Sequence, residues 1–297
     1  MLTLVPTPIG SLEDITLRAL RVLREADIIA CEDTRTSGIL LRHYDIHKPL
    51  TSFHVHNEND KLPLLLEKLR EGVNVAVISD AGTPGISDPG WILLRRAMDE
   101  GLAVDVLPGP NALIPAVLLS GLSPQPFMFA GFPPEKHGER VRLFEAVKDF
   151  AGTLCFYVSP HKVSRDIADM LEVFGDREAA LVREISKIHQ ESVRGTLSVI
   201  FGRVSGGIRG ELVLVVAGRD KKAICTHKTT ITQIVDGGNM AADDSWKDEA
   251  SSMYQAGMSV KDTASSLSER YSVPKNDVKK YLISLPPRQQ DTASPHA

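Results

Sequence analysis

Polar and conformationally special residues gather behind short apolar runs at five places: "PTPIGSLED", "CEDTRTS", "HVHNEND", "SDAGTPGISDPG" and "PGPNA". In an open α/β sheet, ligands bind beyond the carboxyl ends of the strands, so these clusters are where chemistry is expected. In "CEDTR", Glu32, Asp33 and Arg35 could orient a polar substrate and grip a phosphate, or Asp33 could pair locally with Arg35 while Thr36 or Ser37 caps the next helix. In "FHVHNEND", strand alternation would put His54 and His56 on one face, beside Asn57 and Glu58. A metal there would need a third ligand and an open position, and polar groups facing a substrate are the better reading. "VREISK" sets Arg183, Glu184 and Lys187 in an otherwise apolar strand. Charges in such a place either line a cleft or pair with one another.

Several chemistries find no support. The first cluster is not G-x-G-x-x-G, and its prolines remove backbone donors that a pyrophosphate would need. No P-loop and no G-x-S-x-G elbow occurs. Asp80 and Asp88 could carry magnesium, yet Asp88 before Pro89 fits better as a helix N-cap followed by proline at the first helical position. Asp80 stays open between orienting the loop and touching substrate. Cys31, Cys155 and Cys225 lie far apart, with no C-x-x-C pair, so neither a disulfide nor structural zinc is expected.

The elements that position these clusters follow from periodicity. Apolar runs "LTLV", "DIIACE", "LTSFHV", "VNVAVISD" and "LAVDVLPG" alternate with helical patterns. Ile15–Ala26 is one such helix, with Arg18, Arg21 and Arg24 opposite its apolar stripe. This rhythm predicts a mainly parallel sheet covered by helices in an N-terminal α/β domain over 1–121. From about Leu122 strands outnumber helices, with helices expected near Glu139–Phe150 and His161–Phe174, so 122–220 reads as a second α/β domain with a mixed sheet. Residues 221–244 read as a linker, and 286–297 as a disordered tail. Between them, 245–285 reads as three short helices in a helix-turn-helix-like unit, with Ser259 as an N-cap and Pro274 near a first helical turn. Six Lys or Arg against five Asp or Glu between Trp246 and Leu285 leave a packing bundle and a nucleic-acid module both open.

Composition bounds the setting. A chain of 297 residues with 42 % hydrophobic and 24 % charged residues is that of an ordinary globular protein of about two domains. It has no apolar window long enough for a membrane span and no signal-peptide pattern, so a cytoplasmic location is expected. A net charge of -4 supplies no global field for nucleic acid, although a local basic face remains compatible with it.

Taken together, "PTPIGSLEDITLRAL", "ACEDTRTSG", "HVHNE", "SDAGTPGISDPG", "LPGPNAL", "GFPP", "FYVSPHK", "VREISK" and "RGTL", in this order from Leu2 to Gly218, resemble the tetrapyrrole-methylase superfamily. Within it they look like the branch that 2′-O-methylates a cytidine of small-subunit ribosomal RNA. The resemblance implies S-adenosylmethionine as methyl donor, bound between two α/β domains by Ile9, Ala81, Gly82, Thr83, Ile86, Asn111, Ala112, Val158 and Ile185. Because a ribose hydroxyl benefits from a base, Glu184, Lys187 and Asp33 are expected as catalytic residues, with Glu184 or Lys187 assisting proton removal. Arg35, His56, Glu58 and Arg183 are then expected to hold substrate. No metal is implied; the partners are 16S ribosomal RNA in the small subunit and a second copy of the chain. This sequence departs from the branch at Val158, where glutamate is usual, at Lys162 for arginine, at Asn111 for serine and at Ser11 for asparagine. A methyltransferase for a small tetrapyrrole, and a helix-turn-helix ligand sensor without catalysis, are the rival readings.

Overall fold

The computed structural model describes residues 1–219, 245–271 and 273–285. The linker expected over 221–244 and the tail expected over 286–297 lie outside them. The chain forms two compact units, Met1–Lys228 and Thr229–Ala297.

The first unit holds two sheets. β1 (Leu2–Leu4), β2 (Ile28–Cys31), β3 (Leu50–Ser52), β4 (Val75–Ile78) and β5 (Val104–Val106) form an all-parallel sheet in the order β3-β2-β4-β1-β5. Its connections are α1 (Leu17–Glu25), α2 (Thr34–His43), α3 (Glu58–Arg70) and α4 (Trp91–Asp99). Parallel sheets are covered on both faces, and "VAVI" of β4 shows why its run is unbroken: Val75 and Val77 enter one core with Leu2, Leu4 and Leu93. Ala76 and Ile78 enter the opposite core with Leu23, Ile29 and Leu107. β1 lies between β4 and β5, so the loops that leave β4, β1 and β5 are neighbours at one sheet edge. This is the switch point of strand order, where such sheets open a crevice.

α5 (Leu113–Ser120) leads to the second sheet. It comprises β6 (Phe127–Phe129), β7 (Thr153–Val158), β8 (Glu178–Arg183), β9 (Glu191–Thr196) and β10 (Leu212–Val216), in the order β6-β7-β10-β8-β9. Only β6 and β7 run parallel, so the sheet is mixed as expected. One face carries Leu154, Phe156, Leu212 and Leu214 against α6 (His137–Val147), α7 (Val163–Phe174) and α8 (Leu197–Val204). The other turns Cys155, Val213 and Val215 toward Ala116 and Val117 of α5, with Ile9 and Ala112 packed alongside. α5 lays Ala116 and Val117 against this second sheet and leaves Ile114 and Leu118 exposed.

Some boundaries differ from the sequence reading. α1 begins at Leu17 because Thr16 caps it, its Oγ1 accepting the Ala19 amide at 3.0 Å. α8 was not expected: "GTLSV" reads as strand by its β-branched residues, yet the strand stops at Thr196. There Ser198 bonds Asp176, its amide donating to Oδ1 at 2.8 Å. In the second unit, helices at Ser245–Gln255, Val260–Tyr271 and Lys275–Ser284 close around Trp246, Ala250, Ala264, Leu267, Val278 and Leu282. Ser259 caps as expected, accepting the Asp262 amide at 3.1 Å, and Pro274, expected near a first helical turn, is the N-cap of the last helix.

The largest fully buried side chain is charged: Arg140 of α6 is 2 % exposed. Its Nε donates to Asp169 Oδ2 of α7 at 2.6 Å, and its Nη1 donates to the carbonyls of Pro134 and Glu135 at 3.0 and 2.9 Å. Removing one member of such a group leaves an uncompensated buried charge, which costs about 3–5 kcal/mol. Arg140→Ala is expected to lower stability by about that amount, read as a fall in the denaturant midpoint.

Candidate donor cleft and its rim

A cleft of about 610 Å³ opens where the β1, β4 and β5 loops face the ends of β7 and β8. It falls within the roughly 300–1,000 Å³ of small-molecule sites. Ile9, Ala81, Gly82, Thr83, Ile86, Asn111, Ala112, Val158 and Ile185 all line it. Phe129, Phe132, Tyr157, Ser159, Glu211 and Val213 add lining that the sequence reading did not include. β10 runs antiparallel to β7 and β8, with Leu212 opposite Val158 and Arg183. The start of β10 therefore reaches the same edge as the ends of its neighbours, which is how Gly210 and Glu211 enter the wall.

The floor is backbone. Gly82 has φ +84, a left-handed conformation suited to glycine, and exchanges two hydrogen bonds with Thr7 at 2.9 and 3.0 Å. Thr83 Oγ1 donates to the Pro110 carbonyl at 3.1 Å, tying the β4 loop to the β5 loop. Asn111 Oδ1 accepts the Ile114 amide at 3.1 Å and so starts α5. The two halves of the unit meet most closely at Gly10, where a Cβ would stand 2.4 Å from the Ser186 carbonyl oxygen.

Asp88 departs from expectation. α4 begins at Trp91 with Gly90 as N-cap, so Asp88 is not the cap of that helix. Gly90 has φ +128, and its amide donates to Glu58 Oε1 at 3.1 Å. That carboxylate takes over the task of starting the helix and leaves Asp88 half-buried in the cleft wall. Burial first, then the neighbouring Glu32 and Asp80 carboxylates, push the Asp88 carboxyl up to about 6, against the pull of the Ser79 hydroxyl. The expectation that Glu58 holds substrate is corrected by the same bond: it is 7 % exposed and engaged with backbone.

At the rim, Asp33 caps α2, accepting the Arg35 amide at 2.8 Å, and pairs with the Arg35 guanidinium at 2.7 Å. Arg35 holds the Asp33 carboxyl down at about 2, so Asp33 is a weak base whose geometry fixes Arg35. The Arg35 side chain itself is 88 % exposed. Asp80 Oδ1 accepts the Asp33 amide at 3.2 Å, which orients the β2 loop against the β4 loop. His54 and His56 do not share a strand face, because β3 ends at Ser52. Asn57 Oδ1 accepts the His54 amide at 2.8 Å and bends the chain, leaving His56 exposed.

In "VREISK" the charges pair. Arg183 Nε lies 2.8 Å from Glu191 Oε2. Glu184 Oε1 accepts Lys187 Nζ at 3.1 Å and the Glu211 amide at 2.9 Å, and Lys187 also lies 3.2 Å from Glu211 Oε2. The Glu211 amide first, then Lys187, hold the Glu184 carboxyl below its ordinary range. Burial pulls the Lys187 ammonium down, but its bonds to Glu184 and Glu211 outweigh this and the net direction is up. Neither group is a ready proton acceptor, which corrects the expected base role; the pair presents a fixed ammonium beside Glu211 of the cleft wall.

Residues 1–200 match the Tetrapyrrole (Corrin/Porphyrin) Methylases, and the chain belongs to this family. It is a methyltransferase that uses S-adenosylmethionine as methyl donor. Among its relatives, the "Ribosomal RNA small subunit methyltransferase I" of Streptococcus pyogenes serotype M1 is 45 % identical over 218 residues, 73 % of this chain and 76 % of that one. The protein of the same name from Bacillus subtilis (strain 168) is 43 % identical over 225 residues, 75 % of this chain and 77 % of that one. Among solved structures, uroporphyrin-III-C-methyltransferase from Thermus thermophilus shares the fold with a TM-score of 0.54 and 22 % identity, over 73 % of this chain and 93 % of that one. Diphthine synthase does so with a TM-score of 0.58 and 14 % identity, over 73 % and 89 %.

Two outcomes are expected from this geometry. Gly10→Ala forces the loops apart and costs about 1–3 kcal/mol, the range for overpacking, measurable by denaturant unfolding. The bonds of Glu184 act through a lowered carboxyl, so their stabilisation is present above its ordinary value of 4.5 and is lost as pH falls through the lowered one. The stability gap between wild type and Glu184→Gln should therefore close in acid and stay open at neutral pH.

Proposed function

We propose that the protein methylates ribosomal RNA of the small subunit, at the 2′-oxygen of a cytidine ribose. Identity of 43–45 % over about three-quarters of the chain to relatives named for that substrate supports the RNA reading. The observation that carries the proposal is the cleft, in which the nine residues expected to bind the donor share one enclosed wall. In this reading 1–121 and 122–220 act as two domains closing on the donor. The protein works in the cytoplasm as a homodimer, and the helices of 245–285 help it engage the subunit.

The donor, when bound, supplies a methyl carbon attached to a sulfonium. Transfer is an in-line displacement, so the contribution of the chain is positioning and exclusion of water. Ile9, Val158, Ile185 and Phe129 provide an apolar wall, while the backbone of Ala81–Thr83 and Asn111–Ala112 offers donors and acceptors at close range. A ribose hydroxyl must lose its proton, which passes to solvent water at the cleft mouth, as the new bond forms. Lys187, held charged by Glu184 and Glu211, favours the negative oxygen that results. Asp33 sets the direction of Arg35, whose exposed guanidinium takes an RNA phosphate, with Arg183 and His56 as further contacts. An unstacked nucleotide suits such a cleft, because A-form helices hide their base edges.

Calorimetry should show S-adenosylmethionine binding. Labelled methyl should then pass to small subunits from a strain lacking the gene, and nucleoside mass spectrometry should find 2′-O-methylcytidine. Lys187→Ala is expected to cut transfer at saturating substrate by about 10²-fold, within the range for loss of an electrostatic contact to a developing oxyanion. Wild-type rates in both Lys187→Ala and Glu184→Gln would refute their roles. Transfer to a tetrapyrrole, or donor binding without any transfer, would favour the rival readings.

A further inference from the structure

The charge census of the cleft is lopsided. Among the described residues that line it, two are charged, Asp88 and Glu211, and both are acidic. Among the described residues no lysine or arginine lines it, and Lys187 stands at its edge beside Glu211. Glu211 is neutralised, since its carboxylate lies 3.2 Å from Lys187 Nζ and is 67 % exposed. Asp88 has no ion pair among the described residues; the Ser79 hydroxyl lies beside it, and the carboxylates of Glu32 and Asp80 bear on it from the ends of β2 and β4. Across the cleft, Tyr157 of β7 feels the Asp88 charge. A half-buried anion with only a hydroxyl for company is costly, and a cation entering the cleft relieves that cost.

The donor and its product differ by one methyl group and, with it, one positive charge at sulfur. S-adenosylmethionine carries a sulfonium; S-adenosylhomocysteine carries a neutral thioether, with the same adenosine, ammonium and carboxylate. We infer that Asp88 is the residue by which this protein distinguishes the two, holding the sulfonium by charge and letting the thioether go. This rests on the cleft being the donor site. Release of product after transfer then needs no separate device, because the step that removes the positive charge also removes the attraction.

Titration reads the same contact. A cation beside Asp88 favours its ionised form, so donor affinity should rise with pH through about 6 and level off above. The groups that also face Asp88 are Glu32, Asp80 and Tyr157, with Glu211 on the same wall. The ratio of the two affinities is read below about pH 7, where both ligands keep a protonated amino group and an ionised carboxyl group.

The experiment is calorimetry of the full-length protein with S-adenosylmethionine and S-adenosylhomocysteine separately, from pH 5 to 8, for wild type, Asp88→Asn and Asp88→Glu. Asp88→Asn should weaken the sulfonium ligand about tenfold, equivalent to about 1.4 kcal/mol, and the thioether by less than about twofold. The wild-type affinity ratio should fall below pH 6 and that of Asp88→Asn should be flat. Asp88→Glu, which keeps the charge, should restore part of the ratio. Equal weakening of both ligands by Asp88→Asn would assign the residue a structural or ammonium-binding role and overturn the inference, as would an unchanged ratio. If wild type binds neither ligand, the donor reading of the cleft fails, and with it this inference.

Discussion

The site depends on how closely two backbones can approach. The β1 loop and the loop after β8 meet at Gly10 and Ser186 with no room for a Cβ between them. Ser186 and Glu184 both adopt positive φ, of 64° and 52°, which non-glycine residues hold only when their surroundings compel it. The compulsion is visible. Glu184 receives the Glu211 amide, Ser186 Oγ accepts the Ser11 amide at 3.3 Å and donates to Asp14, and Gln190 accepts the Ser186 amide at 2.8 Å. The strained loop thus fixes the distance between the first sheet and the second, and with it the width of the cleft.

Electrostatics divides the same region in two. Inside the cleft the lining is apolar and weakly negative, and backbone supplies most of the polarity. Outside, Arg35, Arg183 and Lys187 are each anchored by a carboxylate: Asp33, Glu191 and Glu184. Such pairs add little stability at a surface, but they set where a guanidinium or ammonium points. The separation keeps Arg35 and Arg183 out of the cleft lining, with Lys187 at its edge beside Glu211.

Much of this was legible in the sequence because parallel strands, buried on both faces, announce themselves as unbroken apolar runs, and the loops that follow carry glycine and proline. "VNVAVISD" marked both β4 and the loop after it. The nine residues gathered in the cleft came from resemblance rather than from pattern, since Ile9, Val158 and Ile185 are indistinguishable from core residues by type. The misreadings share a cause: a local signal was satisfied by a distant partner. Asp88 before Pro89 looks like a cap, but Glu58, from another helix, does the capping. Glu184 looks like a base until Glu211 and Lys187 are seen around it. "GTLSV" looks like strand until Asp176 turns it into a helix start.

The lack of a lysine or arginine among the described residues lining the cleft has a consequence for selection among adenosine compounds. A cell holds many of them, and most carry phosphates. A phosphate entering this cleft would meet Asp88 and lose its water, and among the described lining residues it would find backbone amides but no guanidinium in exchange. An adenosine bearing a phosphate is therefore disfavoured there relative to a ligand whose distinguishing charge is positive.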